Sequence, residues 1–290
     1  MRLNSVTKKV VVVSLWILFF LLNNLSVSAY EEIPVTSGGT VTGKVFLKGT
    51  PPPTRIFHMV FSPNIDLCTR ISDGKGNRLL KEFRVSEEGG LQNVVVAVVG
   101  VKKGKQFDYT PEIHLKNCRI SPFIMPVRNG HPFTIVNEDP VVHDIQGYTL
   151  VGSHTFAMFS KPVLPESAAT KTIFLREGHY IFRAQCGVHE FMQSWGLAVG
   201  NPYFAVTSPD GSFTIPDLPA GDYNVIAWHP HMELQAEHVT APENGKAELR
   251  FEFDASQVEM ALSDLQTHSR LETALELLEL IPPTVELQTD

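Results

Sequence analysis

Positive charge is scarce in this chain. Its 24 Lys and Arg stand against 31 Asp and Glu, a formal net charge of -7, and the cations are not gathered into a patch. Nucleic acid is thereby a poor partner class, because backbone binding depends on clustered Lys and Arg. Cysteine is equally sparse, with three residues and no Cys-x-x-Cys-His, which argues against covalently attached haem. No Ser, His and Asp constellation of a hydrolytic triad is legible. Long amphipathic helical patterns are missing until the C-terminus, so the body is not a helical bundle.

The first residues show what the chain does have. Arg2, Lys8 and Lys9 precede an apolar run from Val10 to Leu22, and Val27-Ser28-Ala29 supplies small residues for cleavage, the pattern of a removable secretory signal over 1–29. The run is short for a membrane span; an uncleaved anchor is the alternative. No Cys follows for lipid attachment. Cleavage after Ala29 removes three positive charges and leaves the exported chain more acidic still. The expected compartment is the bacterial periplasm, with no membrane span after signal removal. In an oxidising compartment an odd cysteine count leaves one thiol to be explained by reactivity, intermolecular pairing or metal. Cys186 is the natural odd one out. Cys68 and Cys118 then remain as a candidate disulfide, closing about fifty residues with a loop-entropy value of roughly 4 kcal/mol.

Glycine and proline are frequent, at 20 each, and short alternating runs dominate. Val41 to Phe46, Phe133 to Val136, Tyr180 to Cys186, Tyr223 to Trp228 and Leu249 to Phe253 read as strands, so the fold class is mostly β, as a sandwich or barrel. Val94 to Val99 is continuously apolar, as expected of a strand buried on both faces. The expected organisation is an N-terminal β module over 30–110, a second domain over 111–200, a third β module over 201–254 and an acidic amphipathic tail over 255–290. In the third module Asp210-Gly211 sits between apolar runs, a hairpin signal. His229-Pro230-His231 is a weak metal pair, lacking further ligands in sequence. In the tail, Val258, Leu262, Leu265, Leu271, Leu275 and Leu278 recur at helical steps until Pro282-Pro283, and Arg270 is its one cation. Such a helix would dock on its own protein or on a partner.

The sharpest chemistry lies in Cys186-Gly187-Val188-His189-Glu190-Phe191-Met192. A thiolate, an imidazole and a thioether recur there at three-residue steps, directly after a strand. Tyr180, Phe182, Ala184 and Cys186 are two apart, so the sulfur points with Phe182 toward the core. Gly187 lets the backbone turn. A second imidazole is available from His143, which follows a strand and the turn Asn137-Glu138-Asp139-Pro140. Two His and one Cys in a plane with a weak axial Met is the donor set of a blue-copper site. Zinc on Cys and two His is the rival, and it would normally want a fourth ligand other than a thioether.

These residues carry a resemblance. The block from about Pro111 to Gly200 resembles the cupredoxins, and its Cys-x-x-His-x-x-Met spacing is similar to the short ligand loop of amicyanin. The resemblance implies a Greek-key sandwich with one type 1 copper site on His143, Cys186, His189 and Met192. It also implies single-electron transfer with redox protein partners, docking near His189 and Phe191, and no catalysis by the chain alone. A copper-binding or delivery protein and a structural adaptor of an exported respiratory complex are the alternatives. Two positions depart from the pattern. Asp144 stands where cupredoxins commonly carry Asn after the first His, and an ionised carboxylate cannot donate a hydrogen bond. Phe123 stands where related exported proteins often have His. The segment from Asn201 to Asp254, with Asp-Gly-x-Phe and Leu-Pro-x-Gly-x-Tyr, resembles the carboxypeptidase regulatory-like, transthyretin-like sandwich. The whole arrangement resembles exported methylamine-utilisation-type proteins.

Overall fold

A computed structural model describes residues 30–59, 62–151, 154–176 and 178–258. The expected signal over 1–29 and the expected helical tail beyond Val258 lie outside the described residues. Within them the chain is mostly β, with two short helical turns at Ile65–Cys68 and Thr69–Ile71. The strands assemble into two β-sandwiches, each closed around its own apolar core.

One sandwich occupies the middle of the chain. Its four-stranded sheet has the order Ser167–Ile173, His131–Asn137, Glu112–Leu115, Ile120–Ser121, and its five-stranded sheet the order His154–Val163, His143–Val151, Ile181–Cys186, Gln193–Ala198, Ile124–Val127. Alternation sends one face of each strand inward. Phe133 and Ile135 from one sheet thus meet Ile145, Phe182 and Ala184 from the other.

The second sandwich departs from the expected modules at 30–110 and 201–254. Gly39–Lys48 is the central strand of a sheet between Ser212–Leu218 and Lys246–Asp254. Val95–Val99 pairs with Phe204–Val206 and Gly221–Trp228. The early and late segments are therefore halves of one sandwich, with the middle sandwich inserted between them. Neither half has enough strands to cover its own apolar face, which the strand count alone did not reveal. The Asp210-Gly211 turn also differs from a hairpin. The strand before it pairs with Val95–Val99 and the strand after it with Gly39–Lys48, so this turn carries the chain from one sheet to the other. Gly211 has φ 80°, and a side chain there would meet the Val45 carbonyl oxygen at 2.4 Å, so glycine is required on both counts.

Val95–Val99 joins the sandwiches, and its burial on both faces is as expected. Val96 and Val98 point into the core of the second sandwich. Val95, Ala97 and Val99 face Ile124, Ile181, Trp195 and Leu197 of the first. A further excursion, Arg55–His58 paired with Asn77–Leu80, leaves the second sandwich and lies against the first, contributing Met59, Leu67 and Cys68 to its core.

Candidate metal centre

Cys186 ends the strand Ile181–Cys186, whose inward positions Phe182, Ala184 and Cys186 share the core of the middle sandwich. Tyr180, just before the strand, packs instead in the cluster between the sandwiches. After Cys186 the chain makes one closed loop. The Cys186 N–H donates to the Met192 carbonyl at 3.1 Å, and the Met192 N–H donates to the His189 carbonyl at 2.8 Å. Gly187 allows this path, because a Cβ there would lie 2.4 Å from the Gln146 amide nitrogen.

His143 opens the neighbouring strand His143–Val151, which runs antiparallel to Ile181–Cys186 with Ile145 opposite Cys186. The two histidines converge on the sulfur through equivalent atoms. His143 Nδ1 lies 3.6 Å and His189 Nδ1 3.7 Å from Cys186 Sγ, and all three residues are buried. Each remote ring nitrogen meets an oxygen acceptor, His143 Nε2 at Asp139 Oδ2 (2.9 Å) and His189 Nε2 at the Pro63 carbonyl (3.1 Å). An acceptor at Nε2 places the ring proton there and leaves the Nδ1 lone pair for a metal. Bonds of about 2.0 Å to nitrogen and about 2.3 Å to sulfur, meeting at tetrahedral to trigonal angles, separate the two donors by about 3.5–3.7 Å. The observed separations fit a metal ion bound between them. Met192 is buried and is held beside Cys186 by its main chain.

Three supports act in ways the sequence reading did not assign. Asn137 reaches the carbonyls of Val141, Val163 and Leu164 at 2.8–3.1 Å and accepts from the Asp139 N–H, which fixes the turn ahead of His143. Asp139, 2% exposed, accepts from the N–H groups of Asn117 and Cys118 as well as from His143. The Asn-x-Asp-Pro turn was the available signal, and its side chains prove to orient the ligand. Pro63 is the third, and no local pattern pointed to it.

Cys68 and Cys118 are disulfide-bonded. Their sulfurs lie within 4.8 Å of a His189 ring nitrogen, but as a disulfide they offer no thiolate. The bridge ties the Pro63 segment to the loop that Asp139 holds, and so clamps the covers of both histidines together. Burial pushes the Cys186 thiol pKa up, while N–H groups of His189, Val188 and Asp144 directed at the sulfur oppose the rise. Burial also lowers the His189 pKa, more than the Pro63 carbonyl raises it, so the ring is neutral, as a ligand must be.

The structure resolves the departure at Asp144. Its carboxylate accepts from Ser160 Oγ and Gln146 Nε2 at 2.7 and 3.0 Å, while its main-chain oxygen accepts from the Gly187 N–H at 2.8 Å. The donor that the side chain cannot supply comes from the main chain, whose Asp144 N–H is directed at the Cys186 sulfur. Phe191 differs from the expected docking patch: it is buried against Phe57, with the Arg78 guanidinium over its ring. Phe123 packs against His229 and His231. His229 is not poised as a ligand, since its Nδ1 accepts from the His231 N–H and its Nε2 faces the Glu82 carbonyl. Among the described residues no helix is long and apolar enough to cross a membrane.

No family model matches the chain, and no curated protein matches it. Solved structures align with about a third of it. A purple cupredoxin from Nitrosopumilus maritimus matches over 30% of this chain and 98% of its own, at 16% identity and a TM-score of 0.25. A copper-containing nitrite reductase from Thermus scotoductus matches over 36% of this chain and 25% of its own, at 14% identity and a TM-score of 0.26. Amicyanin from Paracoccus versutus is similar over 32% of this chain and 83% of its own length, at 12% identity and a TM-score of 0.25.

Proposed function

We propose that this chain is an exported type 1 copper protein that carries single electrons between redox protein partners in the periplasm. His143 and His189 serve as the equatorial imidazoles, Cys186 as the thiolate and Met192 as the weak axial donor. The observation that supports this reading above the others is the convergence of two Nδ1 atoms on one buried sulfur, with both Nε2 atoms already engaged. A set of two neutral imidazoles and one thiolate with a thioether nearby suits copper better than zinc. Copper there supplies a one-electron couple.

The chain's own residues do the rest. Strand pairing between His143–Val151 and Ile181–Cys186 holds one imidazole and the sulfur on a rigid sheet, which keeps the donors in place in either oxidation state. Asp139 and Pro63 fix the ring orientations. Phe191, Met192 and the 62–68 segment exclude water from the site. A partner approaching His189 meets the Pro63 segment first, because His189 is 1% exposed. The sandwich built from 39–48, 95–99 and 204–254, which we read as the carboxypeptidase regulatory-like module, and the acidic tail supply protein contacts.

The test is the visible and EPR spectrum after Cu(II) loading. An intense thiolate-to-copper band with narrow hyperfine splitting, absent in Cys186→Ser, is expected. A colourless protein that stays colourless under oxidant refutes the reading. The cover over His189 favours one second reading, a metal site that binds without redox turnover. Reversible voltammetry of the copper-loaded chain would rule that out.

A further inference from the structure

A cavity of about 770 Å³ opens between the 71–85 segment and the middle sandwich at 119–123 and 191–193. Five of its lining side chains are Lys or Arg and two are carboxylates, Asp73 and Glu82, so its charge favours an anion. Both carboxylates are already engaged. Asp73 accepts from the N–H groups of Lys75 and Asn77 and from the Asn77 side chain. Glu82 clasps the Arg55 guanidinium and faces His231.

Among the described residues Arg78 is left without a counter-ion. It is 7% exposed, yet its Nε and Nη1 are buried with no hydrogen-bond partner. Its one described favourable contact is the Phe191 ring, 5.1 Å from the guanidinium carbon. Burial, and then the like charge of Arg119, lower its pKa to about 10, so it stays cationic at neutral pH. A buried cation with unfilled donors is unfavourable unless an anion completes it. The cavity walls beside it are apolar at Ile120, Phe123 and Phe191.

We propose that this cavity binds a small organic carboxylate, the anionic group accepting from Arg78 and the apolar body lying against Phe123, Phe191 and Ile120. Arg119, exposed at the cavity's border, adds attraction for the same charge. The site is separate from the proposed copper ligands in chemistry, although Met192 lines both. An acidic side chain of the C-terminal tail has the same carboxylate chemistry, and its occupancy of the cavity would exclude added benzoate.

The measurement is calorimetric titration of the full-length, metal-free chain with benzoate, and separately with inorganic phosphate. Its outcome is independent of the copper reading. Benzoate is expected to bind saturably at one equivalent, to raise the melting temperature, and to bind more tightly than phosphate, which lacks an apolar body. Arg78→Met is expected to weaken benzoate by about tenfold or more without lowering the melting temperature of the unliganded chain, since loss of the contact with the Phe191 ring is offset by removal of a buried cation with unfilled donors. Arg119→Ala, an exposed change that leaves the fold intact, should weaken it severalfold. Tighter binding of phosphate overturns the carboxylate assignment. Absence of saturable benzoate binding, as when the chain's own tail fills the cavity, overturns the proposal. So does benzoate affinity unchanged in both variants.

Discussion

Removing the carboxylate of Asp139 separates what holds the fold from what orients the metal site. Asp139 is almost wholly buried and accepts three hydrogen bonds, from the Asn117 and Cys118 N–H groups and from His143 Nε2. Bonds to a charged acceptor contribute about 1.5–3 kcal/mol each, and a buried donor left unpaired costs about 1–3 kcal/mol. Asp139→Asn keeps one oxygen but turns an NH2 toward a donor, so roughly 3 kcal/mol of stability should be lost. At about 2–4 °C per kcal/mol for a chain of this size, the melting temperature of the metal-free protein should fall by roughly 6–12 °C. The ring of His143 also loses the acceptor that keeps its proton on Nε2. Copper affinity should therefore drop by about 10- to 100-fold. Urea melts of the metal-free protein and competitive Cu(II) titration read the two effects independently. If Asp139→Asn loses stability yet binds copper as tightly as the parent, Asp139 does not position the ligand. If neither changes, the hydrogen-bond argument fails altogether.

Acid sensitivity should trace in part to His229. Burial, reinforced by His231, lowers its pKa to about 3, whereas the unfolded chain takes up that proton near pH 6.5. The unfolded state thus binds more protons across this window, and stability should fall by up to about 1.4 kcal/mol per unit as pH drops from about 6.5 toward about 3. His229→Gln should flatten that limb in urea melts at a series of pH values, and parallel curves for the two proteins would refute the assignment. Replacing both Cys68 and Cys118 by Ser should cost roughly 4 kcal/mol through the fifty-residue loop. It should also loosen the Pro63 cover, so that diethyl pyrocarbonate modifies His189 faster. An unchanged modification rate would show that the cover stands without the bridge.

Much of the site was legible because its residues obey local rules. Strand alternation placed Cys186 with Phe182 and Ala184, the loop spacing brought His189 and Met192 back toward it, and cysteine parity singled out the Cys68–Cys118 pair. The unbroken apolar run at Val95–Val99 likewise announced a strand with no exposed face. What escaped was long-range. Nothing near Pro63 indicates that its carbonyl meets His189 Nε2 across 126 positions. Nothing in Gly39–Lys48 names Lys246–Asp254 as its parallel partner. The segments 30–110 and 201–254 were read as separate modules for that reason, since composition marks where strands lie and not which strands share a sheet. Asp144 illustrates a different limit. Its side-chain chemistry was read correctly, but the contact is made by the main chain, which every residue type provides.

The insertion of one sandwich inside the other has a consequence for the order in which the molecule can be made. A chain emerging from its N-terminus presents Gly39–Lys48 early, but the parallel partner Lys246–Asp254 arrives some 200 residues later, and closing so long a loop is slow. Every strand of the middle sandwich is synthesised in the interval. That sandwich can close while the first strand still waits with an unpaired edge, the kind of edge that invites pairing with another chain. Completion of the fold is thus a late event, made by the last strand described, by which time the cysteine and both histidines can already have come together.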